Sequence, residues 1–221
     1  MADTNADVRT TLRALPVFDV ELPEFDPTLA PAVPDALFRI WLAEAIEAGV
    51  REPHAMTLST TDAEGRPSSR VLILKAMAEG RWGFATSRES RKGMEMAEQP
   101  WAALNFYWPE VGRQIRVRGR VLDAGAEESA RDFLARPQSS RAESWVGNQS
   151  QVLLAADDLD TALTEAQALV AAEPDAVPGQ WVRYDVLADE VEFWQADSDR
   201  RHTRLRYQLS GAVWKREALW P

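Results

Sequence analysis

The chain has 221 residues, 45% hydrophobic and 27% charged, with a net charge of −10 and no cysteine; this fits one large or two small soluble domains with a proper core. The missing cysteines exclude disulfides, thiol chemistry and Cys-ligated metal, and two histidines, His54 and His202, are too few for a multi-histidine centre, so no metal site is expected. Strong acidity repels nucleic acid at long range, no run approaches the ~18 apolar residues of a membrane span, and the opening MADTNADVRTTLRALP lacks a signal peptide's apolar core; a cytoplasmic protein is expected.

Residues 1–34 are polar, then Pro-rich (Pro16, Pro23, Pro27, Pro31, Pro34), which reads as an extended arm rather than a packed element. A single domain is expected over 35–221. Asp35 opens a helix with Phe38, Trp41, Leu42 and Ala45 on one face and Gly49 as its stop. Short apolar runs broken by turn residues follow: 55–61, the turn DAEGRP, 69–75, the turn AEG, and 81–86. After a short helix the pattern resumes at 102–108, the turn PEVG, and 114–122. In that last run Ile115, Val117, Gly119 and Val121 alternate with Arg116, Arg118 and Arg120, a half-buried strand whose charged side has a solvated face as its plain reading. Two helices are predicted at 127–135, ending before Pro137, and at 157–172, with Leu159, Leu163, Ala166 and Val170 in one stripe. Strands at 182–186, 191–195, 205–209 and 213–219 close the chain. Meandering strands with inserted helices indicate an α+β, barrel-like domain with peripheral helices. The nine tryptophans are read mainly as core and interface filling, with ring stacking as their alternative use.

Charge is distributed unevenly. Between residues 66 and 120 lie eleven Lys and Arg against five Glu, a local +6 that leaves −16 for the rest of a chain totalling −10. A positive island in an acidic protein can hold one small anion at short range, which points to a phosphate-bearing cofactor or substrate. Three segments carry chemistry. In SSRVLILK, Arg70 and Lys75 bracket an apolar strand and, five residues apart, point to opposite faces unless the strand bends. In TSRESRKG, Ser87 and Ser90 are helix N-cap candidates, and Arg91 and Lys92 fall in the first turn, where positive side chains oppose the helix dipole unless an anion binds. In EFWQADSDRRHTRLRY, Arg200, His202 and Arg204 alternate and would share one face in extended geometry, near Trp194. No dinucleotide, P-loop, nucleophile-elbow or zincin pattern is present.

Together, the stretches REPHAMTLSTTDAEGRPSSRVLILK, SRESRKG, ALNFYWPEVGRQIRVRGRV, FLARPQSSRAESWVGNQSQ and VEFWQADSDRRHTRLRY resemble the pyridoxamine 5′-phosphate oxidases from about Asp35 to the C-terminus. That resemblance implies an antiparallel, Greek-key-like, FMN-binding split β-barrel with peripheral helices. It also implies an obligate homodimer with one FMN in each of two interface clefts. The positions matching the family's FMN contacts are Arg70, Val71, Leu72, Ile73, Leu74, Lys75, Ala85, Thr86, Arg91, Lys92, Gln114, Gln149, Ser150, Trp194 and Arg204. Lys75, Arg136 and Ser140 match positions that hold a substrate phosphate, and Arg200 and His202 match the catalytic pair that grips the substrate over the flavin. The implied reaction passes a hydride from a phosphorylated substrate to the flavin and then electrons to dioxygen, giving peroxide. Three positions depart from the pattern. Asp132 stands where a substrate-contacting tyrosine is usual, residues 1–34 lack the basic, tyrosine-bearing substrate segment, and Ala218 replaces an arginine near the C-terminus. Asp132 and Arg136, spaced i, i+4 on a predicted helix, are placed to form an ion pair.

Overall fold

A computed structural model describes residues 7–221. Its frame is a nine-stranded antiparallel sheet ordered β2-β1-β5-β6-β7-β4-β3, with β8 on β7 and β9 on β8. The strands are β1 (Ala55–Thr61), β2 (Pro67–Ile73), β3 (Ala76–Ala78), β4 (Arg81–Ser87), β5 (Trp101–Trp108), β6 (Arg113–Asp123), β7 (Trp181–Gln195), β8 (Thr203–Ser210) and β9 (Val213–Leu219). The sheet curls until its two ends meet: past β2, the Leu74 amide donates to the His54 carbonyl and the Lys75 amide to the Gly83 carbonyl of β4. The result is a split β-barrel in an α+β fold. Among the described residues no helix is long and apolar enough to cross a membrane.

The strand β7 makes the split. One edge pairs with β6 along nearly its whole length; on the other edge 181–187 pairs with β4, and 190–195 pairs with β8. The sequence suggests two strands here, 182–186 and 191–195, because Leu187-Ala-Asp-Glu is poor strand material. The backbone instead runs through as one strand, since Ala188 is buried and pairing to β6 continues across a β-bulge. At that bulge Arg118 opposes Glu190 while Gly119 opposes Ala188, leaving Asp189 as the extra residue. A Cβ on Gly119 would lie 2.1 Å from the Leu187 carbonyl oxygen, so the crossing requires glycine.

The helix α2 (Pro34–Glu47) plugs the barrel, starting with proline in its first turn and followed by Gly49 in left-handed geometry. Its Phe38 meets Trp82 at 4.6 Å and Phe106 at 5.2 Å, and its Trp41 meets Phe193 at 5.1 Å, all within an aromatic core. Of the tryptophans, Trp41, Trp82 and Trp108 fill this core, while Trp101 and Trp220 are exposed. The remaining helices are α1 (Val8–Ala14), α3 (Arg91–Glu98), α4 (Ala126–Leu134), α5 (Gln138–Val146) and α6 (Ala156–Ala172). The sequence reading missed α5, whose polar QSSRAES start carries no apolar period. The N-terminal stretch differs from an unpacked arm. Val8–Ala14 is helical, Ala30 is buried, and the Tyr207 hydroxyl donates to the Pro31 carbonyl at 2.8 Å. Prolines that forbid a regular element still allow an extended chain to lie in a surface groove.

Gly119→Ala is expected to cost about 2–3 kcal/mol, since backbone at the bulge must move to admit a methyl group. Thermal unfolding should show a fall of roughly 5–10 °C; an unchanged midpoint would mean the bulge relaxes freely.

Candidate functional site

Cationic residues gather at the start of α3. Ser90 caps the helix by accepting the Gly93 amide at 3.2 Å, which puts Arg91 and Lys92 in the first turn. Arg70 reaches the same place from β2, where the alternation of the strand turns Ser68, Arg70 and Leu72 inward and Val71, 65% exposed, outward. A loop after α5 brings Gln149 and Ser150 alongside: Lys92 Nζ donates to Gln149 Oε1 at 3.0 Å, and the Arg91 amide to Ser150 Oγ at 3.4 Å. Glu95 supplies the counter-charge, at 2.8 Å from Arg91 and 3.4 Å from Arg70. Burial holds the Lys92 amine well below the usual lysine range, at about 8; the Arg70 charge acts the same way and Glu95 opposes it. Three cations against one carboxylate leave a surplus near +2, the complement of a phosphomonoester dianion. The donor set therefore fits the phosphate of the expected FMN.

Two cavities share Arg136, and the first adjoins this cluster through Gln149. One, of about 710 Å³, is lined by Leu72, Ala85, Thr86, Gln149, Arg136 and Trp181 among others. The second, a cleft of about 510 Å³, collects Lys75, Asp132, Arg136 and Ser140, four of the six residues expected to handle substrate, together with Arg131 and Arg183; Arg200 and His202 are not among its lining. Lys75 arrives because β2 ends at Ile73 and the chain bends into β3, so the opposite-face geometry of an ideal strand does not apply. Arg136 lines both spaces and stacks on Trp181, with its guanidinium 4.3 Å from a ring centre.

The expected Asp132–Arg136 ion pair does not form. Helix α4 ends at Leu134 ahead of Pro137, so Arg136 leaves helical register; it donates to Ser144 Oγ instead. Asp132 accepts the Trp181 indole N–H at 3.0 Å. Arg136 is held below the usual range by burial, against which Asp132 and Glu143 favour its charge. Within the cleft Arg131 is paired with Glu128 at 2.8 Å and Arg183 with Asp185 at 2.7 Å. That leaves Lys75 and Arg136 facing Asp132.

A third group lies at the other end of β7. Gln114, Trp194 and Arg204 are direct cross-strand partners on β6, β7 and β8, a single row on the outer sheet face. Beside that row Glu192, 5% exposed, accepts from Arg204 Nε at 2.8 Å and lies 3.3 Å from Arg116. The three arginines of β6 are thus not uniformly solvated, because Arg116 and Arg118 pair with Glu192 and with Asp189 and Glu190. The His202 ring lies 4.8 Å from Trp194, with Phe18 of the N-terminal stretch 5.7 Å away. His202 Nδ1 accepts the Asp197 amide at 3.1 Å, which assigns the ring N–H to Nε2. Arg200 does not alternate with His202 and Arg204 as an extended chain requires. It sits in a turn at φ 63°, before β8 begins at Thr203. Thr86 pairs opposite Val182 and Gln114 opposite Trp194, so twelve residues of β7, roughly 40 Å along the strand, divide this group from the cavity. One chain does not bring the two groups together.

Sequence reasoning overlooked Glu95, Thr60, Ser68, Arg131, Trp181, Arg183 and Glu192. Only Glu95 left a local trace, at i+4 from Arg91; the others depend on strand pairing or on where α4 lands.

The family model described as pyridoxamine 5′-phosphate oxidase matches residues 42–169, and the pyridoxine 5′-phosphate oxidase C-terminal dimerisation region matches 181–221. A pyridoxine/pyridoxamine 5′-phosphate oxidase of Pseudomonas fluorescens is 40% identical over 194 residues, covering 87% of this chain and 90% of its own. One from Paraburkholderia xenovorans is 42% identical over 173 residues, covering 78% and 81%. Among solved structures, PhzG from Burkholderia lata in complex with tetrahydrophenazine-1-carboxylic acid superposes with a TM-score of 0.86 at 36% identity, over 91% of this chain and 99% of PhzG. A pyridoxamine 5′-phosphate oxidase-related, FMN-binding protein from Nostoc punctiforme shares the fold, with a TM-score of 0.70 at 17% identity over 87% and 100%.

Lys92 sets a pH dependence for phosphate binding. A bound dianion favours the charged amine and so raises its pKa above the value of about 8 in the free protein. FMN affinity is therefore expected to be level near neutral pH and to fall above pH 8, by up to about tenfold per unit. Riboflavin, which lacks the phosphate, should show no such limb, nor should FMN binding to Lys92→Met. Fluorescence titrations across pH check this; parallel FMN and riboflavin curves would remove Lys92 from the phosphate.

Proposed function

The chain belongs to the pyridoxamine 5′-phosphate oxidase family of FMN-dependent oxidoreductases, and from that premise we propose that it oxidises pyridoxamine or pyridoxine 5′-phosphate to pyridoxal 5′-phosphate, with dioxygen as acceptor and hydrogen peroxide as product. The observation that carries this reading is the convergence of Lys75, Arg136 and Ser140 in one cleft, joined through Arg136 to the cavity whose Gln149 is bonded to Lys92 at the start of α3. Two anion sites of that kind suit a phosphorylated substrate set against a phosphorylated cofactor.

When bound, FMN supplies the hydride acceptor and the route to dioxygen. In the proposed site Arg70, Arg91 and Lys92 take its phosphate, with Gln149 and Ser150 beside them. Lys75, Arg136 and Ser140 hold the substrate phosphate and so fix where the oxidisable carbon lies. Arg200 and His202 grip the substrate from the other side, with His202 offering Nε2–H because Nδ1 is occupied by the Asp197 amide. The amine substrate consumes one water and releases ammonia; the alcohol does neither. In the proposed site Arg200, His202, Trp194 and Arg204 come from the second subunit, a reading supported by the length of β7 and by the match of 181–221 to a dimerisation region.

A second reading keeps the flavin and oxygen but replaces the phosphorylated substrate with a carboxylate, as in phenazine-type oxidases. Asp132 supports it, because Lys75 and Arg136 set against Asp132 leave only about one positive charge in the cleft once the other arginines are paired. That balance suits a monoanion better than a phosphate dianion. PhzG, whose solved complex holds a carboxylic acid, supports it also.

Purified protein given pyridoxine 5′-phosphate in air should produce peroxide; none with either vitamin B6 phosphate ends the first reading. Asp132→Asn keeps an acceptor for the Trp181 N–H and removes the charge. The Michaelis constant for the phosphate substrate should then fall about fivefold, the effect of one like charge at a partly exposed site, with FMN affinity unchanged. A constant that stays put or rises would mean the Asp132 charge does not face the substrate.

Arg200→Ala and His202→Ala should each retain flavin and lose about a hundredfold or more in turnover. Dimers of Arg91→Ala/Lys92→Ala and of His202→Ala should both be poorly active. Mixed with subunit exchange, they should recover about a quarter of wild-type activity, since half the dimers then carry one intact composite site. Absence of recovery despite confirmed exchange would place the whole site within one chain.

A further inference from the structure

Four side chains converge on one buried carboxylate beneath the cationic cluster. Glu95, 4% exposed, accepts from the hydroxyls of Thr60 at 2.5 Å and Ser68 at 2.7 Å, from Arg91 Nε at 2.8 Å, and from Arg70 Nη2 at 3.4 Å. The hydroxyls are tied in turn to Arg70, whose Nη1 and Nη2 donate to Thr60 Oγ1 and Ser68 Oγ, each at 2.6 Å. Thr60 and Ser68 are direct cross-strand partners on β1 and β2, so the lattice is anchored in the barrel wall. Burial alone would push the Glu95 carboxyl up. The hydrogen bonds from Thr60, Ser68 and Arg91 and the Arg70 charge outweigh it and hold the group at about 2, ionised at any working pH.

A carboxylate is an odd occupant of a site for an anion, because its charge opposes the ligand. Its geometry offers a different benefit. The Arg91 side chain is 58% exposed and free to sample many rotamers without a partner, whereas Glu95 fixes both guanidiniums before any ligand arrives. We propose that Glu95 is the positioning residue of the FMN phosphate site, aligning Arg70 and Arg91 for the phosphate at the expense of one unit of positive charge. This rests on the reading that Arg70, Arg91 and Lys92 meet that phosphate. It holds whichever substrate is oxidised.

Glu95→Gln separates charge from orientation, because the two predict opposite signs. Removing the charge alone would tighten FMN, whereas losing the alignment loosens it. Apo-protein is titrated with FMN and with riboflavin, which lacks the phosphate. FMN affinity is expected to fall roughly ten- to hundredfold, the effect of freeing two arginine side chains, with riboflavin unchanged. The alkaline limb of FMN binding gives a second readout. Lys92 is faced by Arg70 from β2, Glu95 from its own helix, and neutral Ser90 and Gln149 from the helix cap and the loop after α5; removing the Glu95 charge lowers the Lys92 pKa, so the limb should move to lower pH.

An FMN affinity equal to or tighter than wild type overturns the proposal and makes Glu95 a counter-charge only. Equal losses for FMN and riboflavin also overturn it, since they mark a general structural role. The Arg91→Ala/Lys92→Ala variant serves as reference. If it loses the preference for FMN over riboflavin and Glu95→Gln keeps it, positioning fails and the phosphate site stands; if neither loses it, both fail. Should Glu95→Gln not fold, Ser68→Ala must show a several-fold loss of the same preference, and an unchanged preference overturns the proposal.

Discussion

Fifteen residues of unbroken extended chain, Trp181–Gln195, govern the rest of this molecule. The strand cannot shorten, because each of its halves completes a different part of the sheet: the first lies between β6 and β4, the second between β6 and β8. Its ends are therefore held apart, and whatever each end carries is held apart with it. At one end lie Thr86, Trp181 and the cavity beside α3; at the other lie Gln114, Trp194, Arg204 and His202. The bulge at Asp189 lets the strand bend without interrupting pairing, and Gly119 allows the close approach that the bend requires. A family whose C-terminal region is a dimerisation region has a direct use for such a strand. In the composite site proposed above, it presents one half outward on a sheet face for a second copy to complete.

Both halves treat charge in the same manner. Arginines stand in pairs around a buried glutamate, Arg70 and Arg91 around Glu95, Arg116 and Arg204 around Glu192. A lone arginine near an interface is a long, mobile side chain; one bonded to a buried carboxylate keeps its place and gives up part of its field. In the half beside α3 the surplus is restored by Lys92, a third cation held at low pKa by burial. The local +6 of the sequence is thus a poor guide to the field a ligand meets, much of it being spent on internal pairs. The cleft around Lys75 and Arg136 shows the same economy, with Arg131 and Arg183 already engaged.

The departures from the family pattern gain physical content in this setting. Asp132 holds the indole of Trp181, whose face carries Arg136, so it shapes the wall of the cleft as well as its charge. The N-terminal stretch, devoid of the usual basic segment, brings Phe18 against Trp194 and His202. Each lies on the side that the proposed site assigns to substrate and leaves the cationic start of α3 intact.

Much was legible in the chain itself, wherever information is local. Period-two alternation marked the strands, Phe38, Trp41 and Ala45 marked the buried face of α2, and Ser90 before Arg91 and Lys92 marked a helix start with misplaced positive charge. The ordered stretches from REPHAMT to RLRY sufficed for the family, and with it for FMN. What the chain could not show was pairing across distance. The junction of 182–186 with 191–195 into one strand depends on β6 lying alongside. The meeting of Glu95 with Thr60 and Ser68 depends on the register of β1 and β2, and the separation of Asp132 from Arg136 depends on α4 stopping at Leu134. A sequence determines which groups are available and how each short segment prefers to fold, because those preferences act over a few residues. Only the tertiary structure decides which groups meet, because contacts between residues far apart in sequence are set by strand register and by where each element ends.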